Sequence, residues 1–264
     1  MEISMLTRAL LVTVLTAVPA SSLAQTGFAD LIDHIHLAAP DQAKAVEWYH
    51  THFGAELTPE GTDRAMLGTT RLIFQKSESP KPSTGSILGL IGFSVADVDG
   101  TVKKLQGAGV KIAMPTMTMY GVKMAQVVDP WGTLIDVVQD SKKLGLHHIG
   151  LVSSDPAATL AWFAETFGGK VAKFDGGADG INYGGVWVTA RKGTGEPSAG
   201  HSIDHIGFRP LNVDSVVATL KTKNVKVTTE PRPLTLPSGT TMRLAFIEGP
   251  GGVRIELVQR DNLK

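Results

Sequence analysis

The sequence contains no cysteine. Disulfides, thiolate metal ligands and cysteine nucleophiles are excluded, so the fold rests on its apolar core and any metal must be held by histidine and carboxylate. Net charge is absent as well, with 25 Lys+Arg against 25 Asp+Glu. No basic surplus points to nucleic acid, and little repulsion opposes self-association. These absences point away from a polyanionic partner and permit an oligomer. Past the N-terminus no apolar run is long enough to span a bilayer. What is present is an ordinary globular balance, 42% hydrophobic and 19% charged. Its 264 residues suffice for one large domain or two small ones.

The first 24 residues have the layout of a secretory signal peptide: Arg8, an apolar run over Ala9–Val18, then Ser22-Leu23-Ala24 as a small-x-small cleavage site. Export to the periplasm or medium is the expectation, with the mature chain starting at Gln25.

Internal repetition organises the rest. Shifted by 114 residues, His34 falls on His148, Trp48 on Trp162, Phe53 on Phe167 and Gly54 on Gly168. Shifted by 115, Leu90 falls on His205, Gly92 on Gly207 and Phe93 on Phe208. At 120, "DPWGTLIDVVQ" falls on "GPGGVRIELVQ", placing Asp136 on Glu256. The chain is two similar halves, 29–140 and 145–260, and each half is two similar units. Each unit opens with an alternating strand, continues with a helix and ends in short strands separated by Gly, Asn and Pro turns. In 155–168, Asp155 is the expected N-cap, Pro156 the first helical residue and Gly168-Gly169 the stop. The order predicts an α+β fold of four βαβββ units with helices outside curled mixed sheets.

Alternation along a strand then sorts the side chains. Ile35, Ile91, Ile149 and Ile206 supply the face that the helices cover. The opposite face carries His34, His148 and His205, while His147 falls on the helix side. In the last strand Val253, Ile255 and Leu257 face the helices, so Glu256 points inward. If each half closes its own cavity, the second half aims His148, His205 and Glu256 at one point. Two imidazoles and one carboxylate form a facial triad suited to Fe2+ or Mn2+ first, and to Zn2+ or Ni2+ otherwise. The corresponding first-half positions are His34, Leu90 and Asp136, a degenerate site unless His36 completes it. Arg209, Arg243 and Tyr183 are further residues expected to line the cavity and bind substrate, Arg243 as a bidentate clamp on an anionic group.

Paired βαβββ units opened by "DHIGF" and closed by "GPGGVRIELVQ" resemble the vicinal oxygen chelate superfamily of glyoxalase I, bleomycin-resistance proteins and type I extradiol dioxygenases. The resemblance covers 29–260 and implies two tandem domains of that type, a small molecule as partner, and a monomer or homodimer, since the fused chain already supplies the paired units. It too places metal ligands on His148, His205 and Glu256. It implies a fourth ligand for glyoxalase-type lyases and isomerases at Thr189, a poor donor. An eroded first half beside a three-ligand second half is similar to extradiol dioxygenases, which would cleave a catechol ring with O2. The tyrosine of that group falls on Phe246, here a substrate-lining residue, and its acid–base histidine falls on Ala190, leaving His201 as the expected catalytic histidine. The alternatives are a glyoxalase-type lyase or isomerase, and a metal-free small-molecule-binding protein like those conferring bleomycin resistance.

Overall fold

The computed structural model describes residues 28–119, 121–174, 177–236 and 239–260. The signal-peptide expectation lies outside them. Among the described residues no helix is long and apolar enough to cross a membrane.

Four βαβββ units follow one another. The first is β1 (Phe28–Ala39), α1 (Gln42–Phe53), β2 (Glu56–Leu57), β3 (Arg64–Leu67) and β4 (Thr70–Lys76). The second is β5 (Leu88–Val95), α2 (Val98–Gly107), β6 (Lys111–Met119), β7 (Val122–Val128) and β8 (Leu134–Gln139). The third is β9 (Gly145–Ser153), α3 (Pro156–Phe167), β10 (Val171–Lys173), β11 (Asp179–Tyr183) and β12 (Val186–Lys192). The fourth is β13 (Ile203–Pro210), α4 (Val213–Thr222), β14 (Lys226–Thr235), β15 (Thr241–Glu248) and β16 (Arg254–Arg260). Each helix starts on a side chain that accepts from a first-turn amide: Asp41, Asp97, Asp155 and Asn212. Pro156 opens α3, and Gly54, in the left-handed region, closes α1. In β14, Pro231 and Pro233 are tolerated because it is an edge strand.

The strands form two eight-stranded mixed sheets, ordered β14-β15-β16-β13-β1-β4-β3-β2 and β10-β11-β12-β9-β5-β8-β7-β6. Unit one therefore joins unit four, and unit two joins unit three. This corrects the expectation that each half closes its own cavity: each sheet takes one unit from each half. At both centres two opening strands meet antiparallel, β1 with β13 and β5 with β9.

One apolar core runs through Ile35, Ile91, Ile149 and Ile206. Repeat-equivalent aromatics join the two sheets. Phe53 of α1 stacks on Phe93 of β5 at 4.4 Å, and Phe167 of α3 on Phe208 of β13 at 3.9 Å. Helices α1 and α3 thus contact a strand of the sheet that does not contain their own unit. The connectors 77–87 and 193–202 run side by side, bridged at Lys81/His201 and Ser86/Glu196.

Candidate metal centre

The antiparallel meeting of β1 and β13 pairs His36 with His205 and His34 with Gly207. The parallel neighbour β16 sets Glu256 beside Gly207. These placements bring one ligand atom from each of His34, His36, His205 and Glu256 within 4.8 Å of one another. Glu256 Oε2 lies 3.2 Å from His34 Nε2 and 3.1 Å from His205 Nε2. The His34 ring fits only because position 207 is glycine: a Cβ there would meet its Cε1 at 2.1 Å.

Each Nε2 is aimed from behind by the preceding residue. Asp33 Oδ1 lies 2.9 Å from His34 Nδ1, and Asp204 Oδ1 lies 2.7 Å from His205 Nδ1. Neighbours in a regular strand point to opposite faces, so this contact needs an irregularity. Both aspartates occupy one: β1 has an extra residue between Ile32 and His34, and β13 has one between Ile203 and His205. Arg209 Nε donates to Asp33 at 2.6 Å and Arg260 Nη2 at 2.8 Å; Arg254 Nη1 donates to Asp204 at 2.7 Å. Carboxylate–imidazole pairs of this kind fix the tautomer and orientation of metal-ligating histidines.

The electrostatics match a cation site waiting on anionic donors. Burial opposes ionisation of Glu256, but His34 and His205 outweigh it and hold the carboxyl below its usual range. Burial likewise opposes charge on His34, but Glu256 and Asp33 outweigh it and raise its pKa to about 9. His36 is different. Burial, then His205 and His34, push its pKa well below the ordinary value, so it is neutral. Its Nδ1 is buried without a hydrogen-bond partner. An orphaned imidazole nitrogen beside two aimed imidazoles and a carboxylate fits a divalent ion.

The sequence-predicted residues divide accordingly. His205 and Glu256 lie together, Nε2 to Oε2 at 3.1 Å. His148 does not join them; it lies in the other sheet, its Nε2 3.1 Å from Asp136 Oδ2. His34 takes the place assigned to it, because unit one rather than unit three is the partner of unit four. Phe246 lines the cavity, its ring 5.2 Å from that of His205. His201 is instead a connector tie, its Nδ1 2.8 Å from the Pro82 carbonyl. Arg209 braces Asp33 from behind. Arg243 is paired on the surface with Asp214. Tyr183 is core, donating to the Phe163 and Gly168 carbonyls at 3.1 Å. His147 also departs from expectation, lining the second sheet's cavity rather than the helix side. The residues overlooked are His34 and His36 as a set with Glu256, and the two aspartates. The signal for them is the tripeptide Asp-His-Ile, present at 33–35 and 204–206 but replaced by His-His-Ile at 147–149.

Comparisons with known proteins bear on the family and the fold. The family model for the Glyoxalase/Bleomycin resistance protein/Dioxygenase superfamily matches residues 31–137 and 145–257. The chain belongs to this superfamily. Its two tandem glyoxalase-type domains are those two matches. The chain is similar in fold to glyoxalase I from Zea mays, at 18% identity and TM-score 0.66, over 87% of this chain and 92% of that one. It is also similar to a candidate dioxygenase from Bacillus subtilis, at 13% identity and TM-score 0.62, over 89% and 86%. No curated protein matches it in sequence.

Proposed function

We propose that the chain is a divalent-metal-dependent enzyme acting on a small anionic, oxygenated substrate, with extradiol-dioxygenase-like ring cleavage as the leading reaction. The observation carrying this reading is the convergence of His34, His205 and Glu256, with His36 beside them. Two imidazoles and a carboxylate from three strands suit Fe2+ or Mn2+, with Zn2+ or Ni2+ as alternatives. The β4 position equivalent to Glu256 is Ile73, which pairs with His36 as Glu256 pairs with Gly207. An apolar residue there favours a three-ligand centre over the four-ligand one implied for glyoxalase-type enzymes.

A bound divalent ion supplies Lewis acidity to neighbouring oxygens of a substrate. The chain supplies the rest. Asp33 and Asp204 keep both Nε2 atoms inward. Neutral His36, at the cavity wall, is a group able to accept a proton from a substrate hydroxyl. The cavity holds about 490 Å3, and Arg64, Lys76, Arg232, Arg254 and Arg260 line it against Asp63 and Glu256. Arg64, Arg254 and Arg260 are paired with Asp63, Asp204 and Asp33, so the cationic surplus that orients an anion rests on Arg232 and Lys76. Arg254 is held in place by Asp204 and by the Phe246 ring, 4.2 Å from its guanidinium carbon.

The test is anaerobic reconstitution with each ion, followed by catechols, 2-oxoaldehydes and hydroxy acids with O2 uptake recorded. Uptake confined to catechols is the expected result. Turnover of a 2-oxoaldehyde without O2 uptake would reassign the chain to the lyases and isomerases. A protein that retains no ion under any condition would be a binder instead. Export belongs to the same reading and rests on the N-terminal sequence. Mass spectrometry of the protein from its host should find Gln25 first, whereas an intact Met1 would remove that part.

A further inference from the structure

The second sheet folds a second cup, on the same backbone plan, that the proposed reaction does not use. It encloses about 840 Å3 and is the larger of the two cavities. A volume of that order accommodates a drug-sized molecule.

Position by position the metal donors are exchanged. β9 and β5 pair as β1 and β13 do, with Gly92 opposite His148 and Leu90 opposite Gly150. His148 thus holds the place of His34, Gly150 that of His36, Leu90 that of His205, and Asp136 that of Glu256. The backbone irregularities persist, but His147 and Gly89 occupy them instead of the two aspartates. The donor at the His205 position, the neutral histidine at the His36 position and both backing carboxylates are gone. The two groups that remain are tied to each other: His148 Nε2 lies 3.1 Å from Asp136 Oδ2, and Gln126 Nε2 donates to Asp136 Oδ1 at 2.8 Å. Among the described residues no third donor, His147 included, joins these two as a group able to hold an ion.

Its walls are mainly apolar, with Leu90, Met124, Val138 and Phe174, and its charged lining of Arg191 and Lys192 against Asp136, Asp155 and Asp179 carries no cationic excess. At the base sits the buried Asp136, whose oxygens retain lone pairs beyond their two partners. An apolar wall rewards an apolar ligand, and a carboxylate at the base accepts a hydrogen bond and repels an anion. Methionine in the wall adapts to ligand shape. From this contrast with the first cup we propose that the second cup binds a neutral, mainly apolar small molecule that presents one hydroxyl or N–H donor to Asp136, without metal.

Calorimetry on the full chain with 1-naphthol, naphthalene and 1-naphthoate tests this. 1-Naphthol should bind saturably at one site, and at least about tenfold more tightly than either relative, the factor one hydrogen bond supplies. Thr189→Trp, which fills the cavity from β12, should abolish binding while circular dichroism shows the fold retained. Asp136→Asn, nearly isosteric, should erase the discrimination against 1-naphthoate. No saturable binding of 1-naphthol overturns the proposal, as does binding unchanged by Thr189→Trp. If the tryptophan variant does not fold, an unchanged ligand order in Asp136→Asn overturns it equally. None of these readouts depends on the first cup's chemistry.

Discussion

Asp33 and Asp204 never reach the cavity, yet they set what His34 and His205 can do. Each fixes which imidazole nitrogen faces Glu256 and adds negative charge behind the ring. Asp204→Asn keeps the shape and removes that charge, and should weaken metal binding about 10–100-fold, measured by chelator competition. The titration of His34 gives a second expectation. Its pKa in the metal-free protein is raised from 6.5 to about 9, so its contribution to stability is complete below pH 6.5 and is lost as pH rises through about 9. Metal must displace that proton, so affinity should climb across the same window. The metal-free protein should therefore melt at lower temperature from pH 6.5 to 9, and the metal-loaded protein should not; parallel curves would contradict the shared site. At this scale much was legible in the sequence. His205 and Glu256 stood out by residue type and repeat position. The aspartates did not, because strict alternation assigns them to the opposite face.

The strand irregularities explain that error, and they are properties of elements rather than of residues. One extra residue on β1, β13 or β9 reverses the alternation locally and brings Asp33, Asp204 or His147 to the histidine face. Nothing in composition marks these positions, whereas α3 announces itself through its Asp155 cap, Pro156 and glycine stop. The opening strands also depend on close approach. Gly207 and Gly92 accept the rings of His34 and His148, where a Cβ would lie 2.1 Å from each Cε1. Gly207→Ala should displace His34, destabilise the protein by about 1–3 kcal/mol and weaken metal binding. Gly92→Ala should cost similar stability and leave metal binding intact. The paired measurement is thermal unfolding with and without metal; equal losses of affinity in the two variants would contradict the assignment.

On the scale of the whole molecule, the repeat revealed four equivalent units but not which units share a sheet. Equivalence in sequence is the same whichever partners meet. What selects them is packing: α1 lies against β5 and α3 against β13, through the Phe53–Phe93 and Phe167–Phe208 stacks. A polar tie supports this order, with Tyr49 of α1 donating at 2.8 Å to Asp129 in the β7–β8 turn. Asp129 is buried and also accepts from the Trp131 and Thr133 amides. Tyr49→Phe should cost about 1–3 kcal/mol in denaturant unfolding by leaving a carboxylate oxygen unpaired. Because the units interleave, the first cup draws His34 and His36 from the first half and His205 and Glu256 from the second. Metal stoichiometry of two single variants tests this directly. His34→Ala should lose the bound ion, and His148→Ala should retain one equivalent per chain. Retention in His34→Ala with loss in His148→Ala would place the centre within the second half alone and contradict the interleaved site.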